Sequence, residues 1–275
     1  MHTLYNLSQS FKKRDRLQPV FFIGHGSPLN GIQDNDFSQK WREIGKTIDT
    51  PSAVLVVSAH WLTRGTHVTA MEQPQTIHDF GGFPQELYEV QYPAPGSPYL
   101  AIETAKLLTK TSVGLDHEWG LDHGTWTVVR HLFPEANIPV LQLSIDYYKP
   151  AEHHYQLAAQ LYDLRTRGVL IIGSGNMIHN LRMIDWNQLD TPGYGYDWAL
   201  ELNDIFKKKL IQKDHNSLVH YENFGEAARM AIPTPDHYLP MIYALGLQQK
   251  TEEIQIFNDR LIGGSLNMTS FQIGL

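Results

Sequence analysis

The sequence predicts a single α/β domain spanning residues 1–275, with a central mixed or largely parallel sheet covered by helices on both faces. Three observations carry this. Several short apolar runs are continuous and β-branched rather than alternating. Amphipathic helical patterns fall between them. No Pro/Gly/Ser-rich linker, internal repeat or low-complexity tract divides the chain.

The strands come first. Val20–Ile23, Ala53–Ser58, Ile138–Ile145 and Val169–Gly173 are nearly all apolar. A strand buried on both faces reads this way because neither face meets water. His67–Met71 adds a shorter strand. Glu253–Phe257 and Ser265–Ile273 follow near the end, the second alternating in places.

The helices follow. Ser97 is an N-cap and Pro98 a first helical residue, ahead of a face of Leu100, Thr104, Leu107 and Leu108. Leu157, Leu161 and Leu164 mark a helix over 151–167, closed by Gly168. Trp198, Leu202, Ile205, Phe206 and Leu210 mark another. Asp122 or His123 is placed to cap a helix carrying Val128, Val129 and Leu132. A last helix starts near Asp236, with Leu239, Ile242 and Leu245 on one face. Strands alternating with helices imply the α/β class.

Composition narrows the function. The chain has 275 residues, 42% of them hydrophobic, enough for a sizeable core. A net charge of −7 argues against a nucleic-acid partner. The absence of cysteine excludes disulfides, Cys-based metal sites and a Cys nucleophile. No apolar run approaches ~18 residues, so no membrane span is expected. The first residues lack a signal-peptide pattern; 1–17 are expected to form a loosely ordered arm on a cytoplasmic protein. Residues 72–98, dense in Gly, Pro and aromatics, have the length of a lid or binding loop.

Histidine is the anomaly, with 14 in the chain. In open α/β sheets, ligands bind outside the carboxyl ends of the strands. His25 lies two residues past Ile23, and His60 two past Ser58. His179 lies six past Gly173, behind a Gly-Ser-Gly turn. If the three strands are parallel neighbours, these imidazoles converge. Imidazole suits Zn, Fe, Cu and Ni alike. His237, in "PTPDHYLP", sits on a proline-stiffened approach to a helix, either as a ligand or as a surface residue. His123 lies beside Gly124, which allows close approach, and His78 lies in the long loop. His2, His67, His117, His131, His153, His154, His215 and His220 have no comparable context.

Other chemistries lack their motifs. There is no H-E-x-x-H and no P-loop. "GHGSPL" and "GSGNMI" lack the third glycine of a dinucleotide fingerprint. Ser27 is not in a G-x-S-x-G elbow.

Seven stretches in order are "FIGHGSPLN", "VVSAHW", "TIHDFGGFPQELYEVQYPAPGSP", "WGLDHGTW", "LQLSID", "IIGSGNMIHNLR" and "PTPDHYLP". From about Leu17 to the C-terminus they resemble the bacterial 4,5-DOPA extradiol dioxygenase family. That family lies in the class III extradiol superfamily, which includes protocatechuate 4,5-dioxygenase. The resemblance implies one divalent metal ion in a single α/β domain, with His25, His60 and His237 as ligands. His179 is then a fourth metal-site histidine, as ligand, acid/base or both, and His123 lines the substrate pocket. The superfamily often supplies two His and a carboxylate to Fe(II); here His237 takes the carboxylate's place. Fe(II) is expected for turnover, while four imidazoles also suit Zn(II) as the metal found.

The implied reaction opens a catechol ring with dioxygen to give a semialdehyde. His179 removes a catechol proton, and His179 or His123 returns one, as a group with an ordinary pKa near ~6.5 can do. Phe80, Phe83 and Trp126 are candidate walls of a dry pocket, and Arg182 is either a partner for a substrate carboxylate or a surface residue paired with Asp185. A zinc hydrolase and a non-catalytic metal-bound scaffold are the alternative readings. Neither the native catechol nor the oligomeric state is legible.

Overall fold

The structure is a computed structural model and describes residues 11–274. Its centre is an eight-stranded sheet in the order β4-β3-β5-β2-β6-β1-β10-β7. The strands are β1 (Val20–Gly24), β2 (Ala53–Thr63), β3 (Thr66–Thr69), β4 (Val113–Asp116), β5 (Val140–Asp146), β6 (Val169–Gly175), β7 (Ile254–Phe257) and β10 (Ser270–Ile273). A separate ribbon pairs β8 (Leu261–Ile262) with β9 (Leu266–Asn267). The run β5-β2-β6-β1 is parallel throughout. β3 joins β5, and β10 joins β1 and β7, in antiparallel fashion. The sheet is therefore mixed with a parallel centre, as the continuous apolar runs require.

Helices cover both faces, and the strands' alternation decides which residue meets which layer. Phe21, Ile23, Val54, Val56, Leu170 and Ile172 pack with Phe37, Trp41 and Ile44 of the Asp36–Thr47 helix and with Val128, Val129 and Leu132 of the His123–Leu132 helix. Val20, Phe22, Leu55, Val57, Val169 and Ile171 pack on the opposite face. Their partners there lie in the Pro98–Leu107, Ala151–Ala158, Asp197–Ile211 and Leu239–Gly246 helices. Each fully buried Val, Leu, Ile or Phe contributes about 1.5–3 kcal/mol of transfer free energy.

Several expectations shift. The 151–167 helix is broken into Ala151–Ala158, a 3-10 turn at Ala159–Leu161 and Tyr162–Thr166. The stretch expected as one strand over Ser265–Ile273 splits into β9 and β10, because it changes sheet. The last helix begins at Leu239 rather than near Asp236, so His237 lies in the turn before it. β2 does not end at Ser58 but runs to Thr63, with its register against β5 shifting between Val57 and Leu62. The short edge strand β4 and the Asp36–Thr47 helix are additions. Of the expected loose arm 1–17, residues 1–10 lie outside the described residues, His2 among them. From Phe11 the chain is docked: Phe11 is buried against Tyr99, and the Arg14 guanidinium donates to the carbonyl of Thr50 at 2.8 Å and to Ser52 Oγ at 2.7 Å.

Candidate metal and substrate site

β1 and β6 end together, Gly24 level with Gly175, and the adjacent parallel β2 passes them with Ser58 level with Ser174. This alignment brings the histidines of the sequence to one place. His25 follows β1 directly and is 1% exposed. His60 lies inside β2, within the irregular stretch between Val57 and Leu62; such irregularities re-aim a side chain. Its Nε2 is 3.1 Å from His25 Nε2. His123 opens the helix that Asp122 caps, and its ring is 3.9 Å from that of His60. Gly124 lets this helix approach, since a Cβ there would lie 2.6 Å from Ser58 Oγ and 2.9 Å from His60 Cδ2.

His237 comes from the opposite layer, over the sheet edge. Its carbonyl accepts from the Asn176 N–H at 2.9 Å. A Cβ on Gly175 would be 2.2 Å from that same oxygen, so only glycine admits the turn. The His237 ring is 4.9 Å from His60 and 5.4 Å from His25. His179 stacks on it at 3.5 Å, held by its N–H to Ala231 O at 2.8 Å.

All five histidines thus share one site. The ligand nitrogens of His25, His60 and His123 lie within 4.8 Å of one another and could hold one metal ion.

Hydrogen bonds decide where the lone pairs point. The Ser174 hydroxyl donates to the Gly124 carbonyl at 2.5 Å, so towards His25 Nδ1, 3.0 Å away, it accepts. His25 therefore carries its proton on Nδ1 and a lone pair on Nε2. Asp79 lies 2.9 Å from His123 Nδ1 and 3.5 Å from His60 Nδ1, and Asp236 bonds to His237 Nδ1. Carboxylates behind the Nδ1 atoms leave the Nε2 atoms as acceptors, an arrangement metal-binding imidazoles use. With two Nε2 atoms facing at 3.1 Å, the donor set fits a cation between them.

Burial pushes the pKa of His25 and His60 well down, and the neighbouring imidazoles add to this. Burial also drives His179 down to about 3, with His237 second. An ordinary titration near ~6.5, as expected for His179 from the sequence, is therefore replaced by a ring that stands unprotonated at neutral pH. Burial raises the Asp79 carboxyl, but hydrogen bonds from His123 and its charge outweigh this and hold it low. Asp236 is held at about 2, because the His237 hydrogen bond outweighs burial. Asp122 is pushed up by burial and by Asp79; it accepts from Gln142 Nε2 at 2.6 Å and Ser58 Oγ at 2.7 Å.

One wall is aromatic. Phe80 meets His123 edge-on at 5.6 Å and packs against Phe83 and fully buried Trp126. His78 ties the long loop to itself through Val90 O at 3.0 Å. Arg182 is exposed on the Leu181–Met183 turn and forms no ion pair with Asp185 among the described residues. The supporting groups Asp79, Asp236 and Ser174 are not among the sequence candidates. The first two carry a signal, each being adjacent to a histidine in "IHDF" and "TPDHY". Ser174 carries none beyond its place at a strand end.

Fold and site together define an α/β protein with a histidine cluster that could hold a metal ion at the carboxyl edge of a parallel sheet, beside an aromatic wall. A family model described as the catalytic LigB subunit of aromatic ring-opening dioxygenase matches residues 19–264. The chain belongs to this family, that of the class III extradiol ring-cleavage dioxygenases, and is an enzyme of that class. It is 47% identical to a 4,5-DOPA dioxygenase extradiol of Escherichia coli K12, over 93% of this chain and 94% of that one. It is 35% identical to a Beta vulgaris protein of the same name, over 94% of this chain and 97% of that one. A crystal structure of an uncharacterized protein from Escherichia coli K12 superposes with a TM-score of 0.81 at 42% identity, covering 94% of this chain and 100% of that one.

Proposed function

We propose that the protein opens the ring of a catechol such as 4,5-DOPA with dioxygen, using one divalent metal ion, to yield a semialdehyde. The observation that carries this is the facing pair of His25 and His60, with further imidazoles on either side of it and an aromatic wall alongside. The names of the similar Escherichia coli and Beta vulgaris proteins support the substrate class.

In this reading His25, His60 and His237 hold the ion, and His179 stands as a fourth donor or as the proton carrier. The tightest donor trio includes His123 instead of His237. We assign His123 to the substrate because Phe80 lies edge-on against its ring, where a flat aromatic would enter. The ion supplies charge that lowers a catechol hydroxyl's pKa and a route for electrons between ring and dioxygen. His179 would accept a proton from a catechol hydroxyl made acidic by the bound ion. His123, held by Asp79, lies across the site to accept or return the other. Phe80, Phe83 and Trp126 exclude water from the reacting ring.

The Fe(II)-loaded protein should consume oxygen in step with a new yellow chromophore when given a catechol. Absence of uptake, or oxygen-independent hydrolysis of an ester by the Zn(II) form, refutes the reading. His25→Ala and His60→Ala should lose the metal. His179→Ala should keep it and lose turnover by ~10²–10⁴-fold.

A further inference from the structure

The geometry points to Asp79 as a positioning residue that selects the tautomer of His123, so that this ring offers an Nε2 lone pair to the site. Its catalytic consequence rests on the ring-cleavage reading; the tautomer selection does not.

Asp79 is carried by the long 72–98 segment, and the backbone leading to it is fastened. Leu121 N–H donates to Gln75 O at 2.7 Å, Ile77 N–H to Leu121 O at 2.8 Å, and Trp126 Nε1 to Ile77 O at 2.9 Å. This strap delivers the carboxylate to the first turn of the His123–Leu132 helix. There Oδ1 accepts the His123 backbone N–H at 2.9 Å, and Oδ2 faces His123 Nδ1 at 2.9 Å. The same Oδ2 is 3.5 Å from His60 Nδ1. An ionised carboxylate only accepts, so His123 Nδ1 must be the donor. A neutral imidazole donating from Nδ1 is unprotonated at Nε2. The His60 ring lies at the edge of that carboxylate's reach, and its Nε2 is the atom that faces His25. The carboxylate thereby sets the proton position of His123 and couples that ring to the loop that bears Phe80 and Phe83.

Asp79→Asn keeps the shape and reverses the instruction. The amide oxygen can still accept from the His123 backbone N–H, which turns the NH₂ towards Nδ1. His123 then carries its proton on Nε2 and presents a donor where an acceptor is needed. The direct test is a long-range ¹H–¹⁵N correlation spectrum of the metal-free, ¹⁵N-His-labelled protein at about pH 8, where an unperturbed imidazole is neutral. The His123 signals are identified by their loss in His123→Gln. Wild type and Asp79→Glu should show the Nδ1–H pattern, and Asp79→Asn the Nε2–H pattern. An Nε2–H ring in wild type, or an unchanged ring in Asp79→Asn, overturns the proposal.

The Fe(II)-loaded Asp79→Asn enzyme, with wild-type metal content, should lose kcat by ~10²–10⁴-fold with KM within about threefold. Asp79→Glu should recover part of it. A kcat equal to wild type alongside a switched tautomer overturns the catalytic consequence. If wild type itself cleaves no catechol, the functional reading fails while the spectra still decide the role of Asp79.

Discussion

Ser174→Ala tests the logic of the metal centre at its most buried point. Ser174 is fully buried and is the only group bonded to His25 Nδ1 among the described residues. Removing Oγ strands one buried donor, His25 Nδ1–H, and one lone pair of the Gly124 carbonyl. The first is the serious loss, since the carbonyl has a second lone pair and a place in its helix. An unsatisfied buried donor costs about 1–3 kcal/mol. The His25 ring is also freed to rotate or to move its proton to Nε2, where it competes with the metal. Loss of such a supporting hydrogen bond lowers metal affinity ~10–100-fold. The assay is calorimetric titration of the metal-free protein with Zn(II) or with Fe(II) under argon, alongside urea unfolding. A metal affinity within about twofold of wild type, in a variant that remains folded, refutes the claim that Ser174 orients His25.

Two further perturbations address the sheet edge and the core. Gly175→Ala places a methyl 2.2 Å from the His237 carbonyl, so the turn carrying His237 must move; we expect about 1–3 kcal/mol of destabilisation and weakened metal binding. An unchanged Tm and metal content refutes it. His154, buried against Tyr243 with its Nδ1 3.0 Å from that hydroxyl, is pushed down to about 4 by burial and secondarily by His153. The unfolded chain, titrating near ~6.5, binds the proton more readily. The stability this ring contributes is complete above about pH 6.5, falls by about 2 kcal/mol by pH 5, and reaches a loss of ~3 kcal/mol below pH 4. His154→Gln should remove that part of the difference between urea unfolding at pH 8 and pH 5; an equal pH dependence in the variant contradicts the assignment.

Much of this was written locally. Continuous apolar runs marked β1, β2, β5 and β6, because a strand with helices on both faces has no polar side to show. Ser97 and Asp122 announced their helices through caps that accept from Leu100 N and Thr125 N. The Asp36–Thr47 helix is equally legible from Phe37, Trp41 and Ile44 behind the Asn35 cap, although it is absent from the expectations above. Strand-end placement singled out His25, His60 and His179 before any contact was known. Only the resemblance to a family attached ring cleavage to them.

Other features had no local signature. Which strands neighbour one another is a property of the whole chain: β6 slots between β1 and β2, and that sets His25 and His60 level across it. The shifted register in β2 turns His60 inward although its strand runs on to Thr63. His237 arrives from the opposite layer, across a gap that only Gly175 leaves open. The depressed pKa of His179 follows from burial and a stacked neighbour distant in sequence. Residue type along the chain determined that there would be imidazoles at strand ends. Tertiary packing decided which nitrogen of each ring bears the proton, because that depends on Ser174, Asp79 and Asp236, two of which are brought to their histidines from far along the chain.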